Sequence, residues 1–190
     1  MMKGLKQTLT LVALWGVSAW PQEMAVPVGV QYPLLLKVLV FDRNFEARSG
    51  DELVMGIMYQ SEHRRSDNVK DALLQTIEES PLRTVKGVPV RAAPIDISHL
   101  TDLSGALARH QVDIVYVAPL RAFDLERIVR VSRERKVTTM TGIPEYCDAG
   151  IAVGIDLRGG KPEILIDVHA ARAEGAEFSS RLLRLCKIVR

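Results

Sequence analysis

The feature that most constrains this chain is a regular alternation of two hydrophobic periods that begins near Glu52. "ELVMGIMY" is a short unbroken apolar run, suited to a strand buried on both faces. "SDNVKDALLQTIEES" then spaces Val69, Leu73 and Ile77 four apart, with Ser66 placed as an N-cap and Pro81 closing the helix. The pattern repeats. "VPVRAAPI" and "VDIVYV" read as strands on either side of a helix in "LTDLSGALARHQ", and "RAFDLERIVRVSRER" precedes a short strand in "VTTMT". A βαβα order of this kind implies a largely parallel sheet with helices on both faces, joined by right-handed crossovers. Upstream, "VQYPLLLKVLVFD" predicts a helix after Pro33, apolar enough to pack on the sheet or on a partner.

The stretch "GIAVGIDLRGGKPEILIDV" departs from that alternation. Taking Gly159-Gly160 as a two-residue hairpin loop, where both positions need positive φ, sets Ile155 opposite Ile164, Val153 opposite Ile166 and Ile151 opposite Val168. One turn assignment thus produces three apolar cross-strand pairs on one face. On the other face Asp156 meets Glu163, a pair that belongs in water. A phosphate cradle would need the glycines to open a helix within GxxxxGK[ST] or GxGxxG, and neither pattern occurs. After the hairpin, "HAARAEG" predicts a short helix ending at Gly175. "AEFSSRLLRLCKIVR" predicts a C-terminal helix from Ser179 or Ser180, with Leu182, Leu183, Cys186 and Val189 as its buried stripe.

Residues 1–19 read as a secretory signal peptide. Lys3 and Lys6 precede an apolar run from Thr8 to Ala19 that ends in Val17-Ser18-Ala19, the small residues a signal peptidase reads. Removing it takes Lys3 and Lys6 from the 25 basic residues and leaves 23 of each sign. A neutral chain of this size, residues 20–190, suits one domain with a substantial core. It gives no electrostatic case for binding nucleic acid or anionic lipid. The cationic run "VRVSRERK" reads as the wet side of a helix. In an oxidising compartment the two cysteines, Cys147 and Cys186, are candidates for a disulfide, or else for two separate packed thiols.

Few residues stand in patterns that carry chemistry. The four histidines, His63, His99, His110 and His169, form no HExxH or Cys/His array, and only Asp167 and His169 share a strand-face spacing. No GxSxG elbow is present. The sequence therefore predicts no catalytic constellation, no metal and no cofactor. Tyr59 and Gln60 at the end of the first strand, with Ala118 at the end of a later one, should lie on the edge where open α/β sheets bind ligands. Leu34, Leu36, Leu39 and Phe41 have two uses open to them, packing on the sheet or contacting a partner or a second copy.

The last third of the chain carries a resemblance. Val137–Thr141, Gly150-Ile151, Ile166-Asp167, Ala170-Ala171, Gly175 and "SSRLLRL" from Ser179 to Leu185 resemble the YfiR-like family of small bacterial periplasmic proteins. Lys37 with Phe41, Leu53–Gly56 and Asp113–Val117 fit weaker upstream signals of the same family. This chain has Ala149-Gly150 for the usual Gly-Gly, Asp167 for the usual Asn, and Ala176 for the Leu after Gly175. The resemblance implies a non-catalytic periplasmic regulator. Such a protein binds the periplasmic domain of an inner-membrane signalling protein, inhibits a membrane diguanylate cyclase, lowers cyclic-di-GMP and forms homodimers. A periplasmic small-molecule (solute) binder, with its ligand beside Tyr59, Gln60 and Ala118, is the alternative.

Overall fold

In the computed structural model, residues 24–189 are described; the signal-peptide assignment to residues 1–19 lies outside them. The chain opens with helix α1 (Val28–Val40) and a single turn α2 (Phe45–Arg48), followed by strand β1 (Leu53–Tyr59) and helix α3 (Arg64–Glu79). A short β2 (Thr84–Val85) leads into β3 (Val88–Asp96), then α4 (Leu103–Arg109), β4 (Ile114–Val117), α5 (Leu125–Arg135) and β5 (Thr138–Thr141). The last third holds α6 (Glu145–Asp148), β6 (Val153–Arg158), β7 (Lys161–Asp167), α7 (Val168–Ala173), α8 (Ser180–Leu183) and β8 (Lys187–Val189).

The strands form one sheet in the order β2-β3-β1-β4-β5-β6-β7-β8. The run from β3 through β6 is parallel, as the βαβα alternation requires, and β7 returns antiparallel to β6. Burial on both faces explains why β1 and β4 read as unbroken apolar runs. One face carries α1 and α3, through Leu35, Leu39, Val69 and Leu73. The opposite face carries α4, α5 and the Tyr146 turn, through Leu103, Leu107 and Ile128. This is the α/β arrangement the sequence predicts.

Local signals account for most of the boundaries. The Asp102 carboxylate accepts from Gly105 N at 2.7 Å and caps α4, and Asp124 caps α5 through Glu126 N at 2.9 Å. The hairpin has the expected register, Val153 on Ile166, Ile155 on Ile164 and Asp156 on Glu163, with Gly159 and Gly160 both at positive φ. Ile151 and Val168 fall outside the ladder, because α7 already starts at Val168 under its Asp167 cap.

Three boundaries differ from the sequence reading. Helix α1 starts at Val28, so Pro33 lies inside it; the N–H it lacks would have met Gly29, one turn earlier. Helix α3 starts at Arg64 after His63, while Ser66 is buried and its Oγ accepts from Gln60 N at 2.9 Å. The C-terminal helix is only the turn α8, capped by Ser179, and Lys187–Val189 pairs instead with Leu165–Asp167 of β7. An open strand edge offers that segment a row of backbone partners, which overrides a weak helical periodicity.

Candidate functional site

The sheet order fixes where a crevice must lie. β1 has β3 on one side and β4 on the other, so the chain winds away in opposite directions from the C-terminal ends of β1 and β4. That is the topological switch point, the usual ligand position in open α/β sheets. Tyr59 and Gln60 leave β1 here and Ala118 follows β4, so all three predicted edge residues reach the same end of the sheet.

Their individual roles differ. Ala118 is fully buried and its N–H donates to Met58 O at 3.0 Å. Tyr59 is half-buried, with the Lys70 ammonium 4.9 Å from its ring centroid. Gln60 spans the crevice: its Oε1 accepts from Arg121 N at 2.7 Å and its Nε2 donates to Arg121 O at 3.2 Å. Gln60, Glu62, His63, Arg121 and Ala122 line an open hollow of about 200 Å³. Ala122 holds φ +49°, a left-handed conformation uncommon for a residue with a Cβ.

Beside the hollow, Asp96 at the end of β3 accepts from Ser61 N at 3.2 Å, Ser98 N at 3.0 Å and Ser98 Oγ at 2.7 Å. Partial burial opposes its charge, but the hydrogen bonds from Ser61 and Ser98 win and hold the carboxyl down at about 2. His99 Nε2 lies 2.9 Å from Glu62 Oε1 on the surface. The serines are thus bonded to Asp96 and to each other, and this histidine to a different acid. Asp167 is spent capping α7 through Ala170 N at 2.9 Å, while His169 is exposed. Among the described residues no three His, Cys, Asp or Glu side chains gather in a group fit to hold a metal.

The opposite, N-terminal edge of the sheet holds a polar cluster that the sequence did not reveal. Asp42 is 1% exposed and accepts from Arg48 Nη1 at 3.1 Å, Asn44 N at 3.0 Å and Glu177 N at 2.8 Å. Arg48 Nη2 donates to Thr138 Oγ1 at 2.7 Å and to Lys136 O at 3.0 Å. Fully buried Glu174 accepts from Thr139 N at 2.8 Å and from Thr139 Oγ1 at 2.7 Å. Burial pushes the Glu174 carboxyl up to about 8, against the opposing pull of those hydrogen bonds and of Arg133 and Arg48. A third buried contact ties α1 to β4, where Tyr116 Oη donates to Gln31 Oε1 at 2.8 Å and Gln31 Nε2 donates to Val26 O at 2.6 Å.

The other sequence candidates separate. Leu36 and Leu39 are 3% and 1% exposed and pack in the chain's own core; Leu34 and Phe41 are half-buried against the same core. Cys147 and Cys186 are free thiols. Cys147 Sγ packs where a Gly154 side chain would stand, and Cys186 packs against the core on the Val153 and Ile155 side. Alternation along β6 points Gly154 away from Val153 and Ile155, so the sheet separates the two sulfurs.

Fold and crevice together define a doubly wound α/β domain with an open switch point. Residues 46–187 match the YfiR/HmsC-like family, and the chain belongs to it. No curated protein sequence matches at a significant level. Among solved structures, a conserved domain protein from Vibrio cholerae O1 biovar El Tor is similar over 86% of this chain and 60% of its own, at 13% identity and TM-score 0.58. An ABC domain in complex with L-Trp from Streptococcus pneumoniae matches over the same shares, at 11% identity and TM-score 0.58. The chain therefore spans about 60% of each of these structures, and the likeness is one of fold.

Proposed function

We propose that this protein is a non-catalytic periplasmic regulator that binds the periplasmic domain of an inner-membrane signalling protein, holding a membrane diguanylate cyclase inactive and so lowering cyclic-di-GMP. Membership of the YfiR/HmsC-like family over residues 46–187 carries this reading. The signal-like start at residues 1–19 supports export, and a homodimer is the expected assembly. The role needs a complementary surface and no reacting group. The direct test is co-purification of the tagged protein from a membrane extract, with cyclic-di-GMP measured in the deletion strain. A sensor-type membrane cyclase should be recovered and cyclic-di-GMP should rise; recovery without one, at unchanged cyclic-di-GMP, refutes the reading.

The crevice at Gln60 and Arg121 favours a second reading, a periplasmic small-molecule binder. The solved neighbour from Streptococcus pneumoniae is described in complex with L-Trp. A thermal-shift screen of amino acids and other polar metabolites tests it, since a ligand present at 100 times its Kd adds about 2.7 kcal/mol of stability. A flat screen removes this alternative.

A further inference from the structure

The end of the sheet formed by β6, β7 and β8 leaves apolar surface and an unpaired strand edge together. Register places Ile188 beside Ile166 and Ile164 beside Ile155, with Leu157 two residues beyond Ile155, so Leu157, Ile164 and Ile188 share one face. Yet Leu157 is 43% exposed, Ile188 46%, and Leu185 just before β8 is 74% exposed. β8 pairs only with Leu165–Asp167, so it forms the last strand of the sheet and leaves the outer side of Lys161–Ile164 unpaired among the described residues. The exposed charges on and next to β8 are cationic. Lys161, Arg181, Arg184 and Lys187 are exposed, and among the described residues none of the four is in an ion pair. Glu163 on the same strand is already engaged by Arg158 at 3.2 Å.

We propose that this edge takes up an extended acidic segment of a partner protein, added as a further strand whose alternate apolar side chains cover Ile188 and Leu185 while its carboxylates meet Arg184 and Lys187. Backbone hydrogen bonds along the open edge supply affinity, and the alternation of side chains supplies selectivity. The cations speak against a second copy as the occupant, because self-pairing would bring a duplicate set of the same charges onto one edge. The inference rests on the partner-binding reading above and adds to it the place of contact and the chemistry of the partner.

The test uses two fluorescein-labelled, end-blocked octapeptides, one alternating Val and Glu and the other Val and Lys, titrated into the purified protein and followed by anisotropy. The Val-Glu peptide should bind, more weakly as salt rises, and the Val-Lys peptide should not. The double variant Arg184→Glu, Lys187→Glu and the single variant Leu185→Asp should each weaken binding by about tenfold or more. Circular dichroism melts should be unchanged in both, since all three positions are exposed. Equal binding of the two peptides, or none of the Val-Glu peptide, overturns the proposal. So does loss of a dimer in sedimentation velocity on making the double variant, which would assign the edge to a second copy. A double variant that loses the peptide yet still represses the membrane partner removes the edge from the regulatory reading while leaving that reading intact. Peptide binding with no membrane partner recovered has the opposite consequence.

Discussion

The loops around Gln60 and Asp96 at one end of the sheet and the cluster around Asp42 and Glu174 at the other treat their polar side chains in opposite ways. At the C-terminal end, Gln60, Ser61, Asp96, Ser98 and His99 sit in or beside water, and their bonds join neighbouring loops across an open hollow. At the N-terminal end, Asp42, Thr139 and Glu174 are withdrawn into the interior and Arg48 is half-buried, and their bonds join segments far apart in sequence. Exposed hydrogen bonds exchange readily with water and leave a surface free to accept something else. Buried ones have no substitute, and losing one partner strands the other. The wet end thus leaves its polar groups open to solvent, while the dry end holds the molecule closed.

That contrast can be broken by substitution, starting with the largest expected effect. Asp42→Ala leaves Arg48 without its buried partner and should cost about 3 kcal/mol in urea unfolding. Gly142→Ala drives a methyl group into the Gln31 carboxamide, itself fixed between Tyr116 and Val26, and should cost about 2 kcal/mol. Glu174 sharpens the comparison through pH. Its folded pKa of about 8 is raised above the unfolded value near 4.5, so its contribution is fully present below about pH 4.5 and is lost as pH rises through 8. Glu174→Gln should therefore gain on the parent by more than about 1 kcal/mol between pH 5 and 8, read from paired denaturation curves. At the wet end, Gln60→Ala should lower stability by no more than about 1 kcal/mol, since water can replace its bonds to Arg121. Reducing agent should leave the melting temperature unmoved, because Cys147 and Cys186 are unlinked.

What the sequence disclosed follows the same division. Strands β1 and β4, the amphipathic helices and the Gly159-Gly160 turn are written in local periodicity, so the fold class and the position of the crevice were legible. Asp167, where the family resemblance implies Asn, caps α7 through Ala170 N, an acceptor role that either side chain can fill. The polar cluster of Asp42, Arg48 and Glu174 was illegible. Glu174 lies some 130 residues from Asp42 and Arg48, and each resembles a surface charge until the fold brings it inside. The last segment misled for a related reason. Leu182, Leu183 and Cys186 have helical spacing, but β7 provides a strand partner that no local pattern announces.

The grip of Asp42 on the Glu177 amide, with Phe41 O accepting from Ser179 N at 3.0 Å, ties the exit of the first helix to the chain's last stretch. Closing a loop that long costs entropy before any contact repays it, so this junction should be among the latest to form during folding. A chain cut short before Glu177 would keep a carboxylate in the interior with fewer donors, and quality-control proteases would find it open at both ends at once.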